Sequence, residues 1–113
     1  MVAELDPREV EFQAQLETLR RHFVDGLPER RAALAAAWRD CADGGDEAPW
    51  ERLRDVAHKL SGSAPCYGLD RLGEVARGLD RQLSGRAPCR RRAPLAMSVA
   101  QLLAALEAAV ASV

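Results

Sequence analysis

His58 and Gly62 are the residues of this chain whose types and spacing could do chemistry; they lie in the run Ala57-His58-Lys59-Leu60-Ser61-Gly62-Ser63-Ala64. At about 100° per residue, Trp50, Leu53, Val56, Ala57, Leu60 and Ala64 gather on one helical stripe, the face that must be buried. His58 falls roughly 140° from the centre of that stripe, on the polar side. Helical side chains lean toward the N-terminus, so the residue at i+4 normally covers the surface beside residue i. Gly62 covers nothing there. A glycine inside a helix costs about 1 kcal/mol relative to alanine, and keeping an exposed imidazole open to a bulky reactant is one reason to carry it. A neutral imidazole nitrogen is a nucleophile near neutral pH. The plain alternative is a solvated surface histidine.

The run from Ala57 to Ala64, with Gly68, Leu72 and Leu79-Asp80 after it, resembles the histidine-containing phosphotransfer (HPt) domain of bacterial two-component phosphorelays. The family pattern is His-x-Leu-Lys-Gly-Ser/Ala, then a glycine and a leucine-rich helix ending in Leu-Glu or Leu-Gln. His58, Leu60, Gly62, Ser63 and Gly68 fit it. Ser61 stands where the family usually has lysine, and Asp80 where it has Glu or Gln. The resemblance implies that His58 accepts a phosphoryl group on Nε2 as a labile phosphoramidate. It implies also that the residue at Asp80 orients the ring through its other nitrogen. Aspartate is one methylene shorter than the family's residue, which speaks against direct contact and leaves room for a water; the alternative for Asp80 is a solvated surface acid. Arg54, at i−4 from His58, can approach the ring. With Lys59, Arg77 and Arg81 it could supply positive charge around the phosphoryl group, although Ser61 weakens that electrostatic case. Tyr67 and Leu69, just after the helix break, are the expected exposed apolar residues of a docking patch on the third and fourth helices.

Five helical segments must position these residues. The first runs from Pro7, after Asp6, to Val24, with Phe12, Leu16, Leu19 and Phe23 as its stripe. The second starts near Pro28 and carries Leu34, Trp38 and Cys41 up to the break Asp43-Gly44-Gly45-Asp46. The third runs from about Ala48 to Ala64-Pro65, where proline restricts the residue before it. The fourth holds Leu69, Leu72, Val75, Ala76, Leu79 and Leu83, with Gly73, Arg77 and Asp80 along one edge. The fifth, from about Pro94 to Ser112, holds Leu95, Val99, Leu102, Leu103, Leu106 and Val110. Short connections make sequential helices antiparallel. The expected fold is all-α, an up-down antiparallel four-helix bundle with an additional N-terminal helix that caps or flanks it.

With 113 residues the chain is read as a single domain, residues 1–113. Only 4% of residues are aromatic and β-branched residues are few, which favours helix over sheet. A net charge of −1 argues against bulk nucleic acid as a partner. Arg90-Arg91-Arg92 reads as a solvated loop, and His22 as a surface residue. Cys41, Cys66 and Cys89 show neither a disulfide framework nor metal spacing. Met1-Val2-Ala3-Glu4 has no leader pattern, and the last segment, interrupted by Gln101 and Glu107, reads as too short for a membrane span. A cytoplasmic monomer follows, free-standing or part of a longer protein, with no membrane contact. No Gly-rich nucleotide loop or acidic cluster for Mg²⁺ is visible, so the chain is expected to be no enzyme and to have no cofactor of its own. The resemblance implies receiver domains of response regulators or hybrid sensor kinases as partners, with Mg²⁺ on the receiver. The rival function is a helical adaptor that binds a receiver or kinase domain without phosphotransfer.

Overall fold

The computed structural model describes residues 6–112; Met1–Glu4, where no leader pattern is read, lie outside them. The elements are α1 (Pro7–Asp25), α2 (Leu27–Asp40), α3 (Glu47–Ser63), a 3₁₀ turn (Ala64–Tyr67), α4 (Asp70–Leu83) and α5 (Arg92–Ala111). No strand occurs among the described residues. Helices α2 to α5 close into a ring in which each packs on its chain neighbours and α5 returns to α2. The fold is the expected four-helix bundle with an additional N-terminal helix. Leu27, Leu34 and Ala37 of α2 face Trp50, Leu53, Ala57 and Leu60 of α3 across a core completed by Leu72, Ala76, Leu79 and Leu83 of α4 and Leu95, Val99, Leu102 and Leu106 of α5. All are buried, and their three- and four-residue spacing is the stripe that burial demands.

Helix α1 departs from expectation. Asp6 caps it by accepting from the Arg8 backbone N–H at 2.9 Å, and Gly26 followed by Pro28 ends it, because proline offers no N–H to carry the ladder on. The predicted stripe does not pack as a unit: Phe23 is 8% exposed, but Phe12, Leu16 and Leu19 are 60%, 46% and 54% exposed. The molecule measures 65 × 25 × 20 Å, whereas its longest helix accounts for only about 30 Å at 1.5 Å per residue. Helix α1 therefore prolongs the bundle, and most of its length has no helix opposite it.

The connection before α5 also differs from the solvated loop read from the sequence. Arg92 lays its guanidinium over the Trp38 ring at 4.0 Å and donates to the carbonyl oxygens of Trp38 and of Cys41, the latter at 3.0 Å. These carbonyls end α2, where a cation also meets the negative end of the helix dipole. Arg90 does the same for α4 through the Leu83 carbonyl at 2.9 Å, and it pairs with Glu47 at 2.8 Å. Arg91 alone points to solvent. Two of the three arginines thus tie the loop to three helices, because carbonyls left over at helix ends need donors.

Helix α5 is more apolar than the interruptions at Gln101 and Glu107 suggest. By length and composition it is long enough to cross a membrane; here its leucines pack against the bundle and Glu107 pairs with Arg31 at 2.8 Å. Burial pushes the Cys41 thiol above its ordinary pKa, against the opposing charges of Arg92 and Arg52. Alkylation of the native protein at neutral pH should therefore label exposed Cys66 and spare Cys41 until denaturant is added, which peptide mass mapping would show. Arg92→Ala should cost roughly 1.5–3 kcal/mol in denaturant unfolding, the range for hydrogen bonds from a charged donor. Arg91→Ala should stay within about 0.5 kcal/mol of the wild type.

Candidate phosphotransfer site around His58

Burial of Trp50, Leu53, Ala57 and Leu60 on one side of α3 leaves His58 on the other. Its side chain is 60% exposed in mid-helix, as the helical period predicts. What faces it is decided by how closely α4 approaches. Gly73 is buried against the 3₁₀ turn, and a Cβ built on it would sit 2.7 and 2.9 Å from Cγ and Cδ of Pro65. Only glycine allows that contact without a shift. From it the two antiparallel helices run in register: seven residues back from Pro65 is His58, and seven on from Gly73 is Asp80. Four further along each are Arg54 and Ser84.

These pairs meet. Asp80 Oδ2 lies 3.1 Å from His58 Nδ1. Its other oxygen, Oδ1, accepts from the Ser84 hydroxyl at 3.0 Å, and Ser84 Oγ accepts from Arg54 Nε–H at 2.8 Å. The Asp80 side chain is only 17% exposed. The sequence-based expectation of a water between Asp80 and the ring is corrected: the contact is direct, because the close approach at Gly73 suits the shorter acid. A carboxylate only accepts, so the proton belongs on Nδ1 and the lone pair on Nε2, at the exposed tip of the ring. Beside it Gly62 is exposed, and a Cβ there would meet no atom within 4 Å.

An exposed imidazole is thus oriented by a carboxylate from the next helix of a four-helix bundle, and comparison with family models matches the Hpt domain over residues 9–112. The chain belongs to the Hpt domain family. No curated protein and no solved structure matches it. Hpt domains are histidine phosphotransfer modules of phosphorelays.

The other residues singled out in this Hpt domain fall into place unevenly. Ser61, at the family's lysine position, turns its hydroxyl back to the His58 carbonyl at 2.7 Å and contributes no charge. Lys59 pairs with Asp55 on its own helix at 3.0 Å. Arg54 reaches the site, but its Nε is engaged by Ser84. Arg77 lies about 60° from Asp80 around α4 and Arg81 about 100° in the same sense, so the two, at i and i+4, share one exposed face of the helix. Neither makes an ion pair among the described residues. No group of three or more His, Cys, Asp or Glu residues able to hold a metal occurs among the described residues.

The docking pair is corrected. Leu69 is 8% exposed and part of the core, and Tyr67 is half-buried with its ring stacked on Phe23 at 4.5 Å. After α3 the chain turns sharply through Gly68, at φ +76°, so both side chains fold under the bundle and seal the end where α1 meets it. Exposed large apolar side chains occur only on α1 and α5 among the described residues, so the apolar patch expected beside His58 is absent from α3 and α4. Ser84 was missed in the sequence. Its spacing of four from Asp80 was the available signal.

Gly73→Ala should destabilise the Hpt domain by about 1–3 kcal/mol, because the Pro65 ring cannot swing aside. Gly62→Ala should instead stabilise it by up to about 1 kcal/mol. Chemical denaturation of the two variants separates a glycine needed for packing from one that packing does not require.

Proposed function

We propose that this Hpt domain relays a phosphoryl group between receiver-domain aspartates through His58. The observation that carries the reading is the direct Asp80–His58 contact on an otherwise open imidazole. In the accepting step the Nε2 lone pair forms a bond to phosphorus while the aspartyl oxygen–phosphorus bond of the donor breaks, its electrons returning to the donor carboxylate. The Nδ1 proton stays in place, and the positive charge that develops on the ring is offset by Asp80. Donation to the second receiver runs the same step in reverse. The receiver supplies Mg²⁺ and most of the catalysis; this chain supplies a positioned nucleophile and no nucleotide site of its own. Gly62 lets the partner close over Nε2, and Arg77 and Arg81, on one exposed face of α4, are the cations this chain offers to the phosphoryl oxygens. We place the domain in the cytoplasm, as a monomer, with neither nucleic acid nor membrane as its partner.

Incubation with a phosphorylated receiver domain tests this. Mass spectrometry should locate one acid-labile phosphate on His58, and His58→Gln should abolish it. A His58→Gln protein that still signals in the cell would favour the rival adaptor reading. Asp80→Asn should slow acceptance about tenfold, the equivalent of one charge-assisted hydrogen bond. Gly62→Leu should also impair transfer while the fold persists, and transfer at the wild-type rate would leave Gly62 without an access role.

A further inference from the structure

We propose that Ser84 and Arg54 are positioning residues for His58, acting through Asp80. The inference rests on the phosphotransfer reading and adds two residues to its machinery. Every link has a fixed direction. Arg54 Nε is a donor only, so at 2.8 Å it occupies a lone pair of Ser84 Oγ. The Ser84 hydroxyl hydrogen is thereby left to point at Asp80 Oδ1, 3.0 Å away. With Oδ1 held, rotation of the carboxyl group is blocked and Oδ2 stays on His58 Nδ1. A lone aspartate on an exposed helix face would sample several rotamers and often leave the ring. Here the chain of bonds crosses from α3 to α4 twice, at Arg54–Ser84 and at His58–Asp80, so the two helices and the ring are set together.

This gives Arg54 a different task from neutralising a phosphoryl group. Its Nε is directed at Ser84, at the level of the last residues of α4, one helical turn from the imidazole. Ser84 itself has β-region angles, φ −115° and ψ 175°, just past the end of α4. Its side chain is thus placed by the helix terminus rather than by a further turn of helix.

The test uses the full chain with ¹⁵N-labelled histidine. Imidazole nitrogen chemical shifts report which nitrogen of His58 carries the proton, and amide spectra report that the fold is kept. The wild type should show Nδ1–H as the main tautomer. Ser84→Ala and Arg54→Gln should both move the population toward Nε2–H and slow phosphoryl acceptance three- to tenfold, and Ser84→Thr, which keeps the hydroxyl, should restore both. An unchanged tautomer in Ser84→Ala and Arg54→Gln overturns the proposal, even if Arg54→Gln is slow. A tautomer that responds as expected in a protein that takes no phosphate on His58 would overturn the phosphotransfer reading and leave the positioning chain standing.

Discussion

The close antiparallel approach of α3 and α4 is the constraint on which the site depends. It is set where Gly73 lies against Pro65, at a distance that any β-carbon would violate. From there the register carries Asp80 to His58 and Ser84 to Arg54. The core side of the same helices supplies the force: Leu53, Ala57 and Leu60 on α3 and Leu72, Ala76 and Leu79 on α4 are excluded from water almost completely. Hydrophobic burial draws the helices together without fixing their spacing, since it is non-directional. Gly73, with no Cβ to hold Pro65 off, sets how far the approach can go. An aspartate then suffices where a wider pair of helices would need a longer acid.

Most of the fold was legible because its signals are periodic. Leu95, Val99, Leu102 and Leu106 repeat at helical spacing and are all buried, and each predicted break falls within a few residues of a real helix end. Helix α1 shows the limit of periodicity. Phe12, Leu16 and Leu19 share the spacing of buried residues and yet remain exposed, because a stripe states what a helix could bury and not whether a neighbour is there. The arginine run shows the converse. Arg90 and Arg92 satisfy carbonyls at the ends of α4 and α2, a demand created by tertiary structure that no local pattern announces.

The site divides in the same way. His58, its exposure and the openness beside Gly62 follow from angles on one helix and could be read there. The partnership with Asp80 depends on the distance between two helices, and sequence spacing carries no distance. Tyr67 and Leu69 failed for a related reason: apolar residues after a helix break read as exposed if the chain leaves the bundle, but Gly68 turns it back into the core. Ser84 lay outside the motif and became visible only when the Asp80 carboxylate had a second oxygen to account for.

Around the imidazole, restraint and access are separated by nitrogen. Asp80, Ser84 and Arg54 all lie on the Nδ1 side, where they fix the ring. The Nε2 side has Gly62 and open space, and the nearest lysine is already paired with Asp55 on its own helix. A phosphoryl group seated on Nε2 would therefore find little in this chain to bind it beyond the covalent bond, with Arg77 and Arg81 on the exposed face of α4 as its remaining cations. Strong binding of the phosphoryl group in the phosphorylated domain would deepen the intermediate and slow the second transfer, since an interaction made in the ground state and lost on the way to the transition state raises the barrier. A weakly held group suits a carrier that must release what it accepts. On that reading Ser61, in place of the family's usual lysine, shifts the task of charge neutralisation to the receiver and leaves this domain the geometry of the nucleophile.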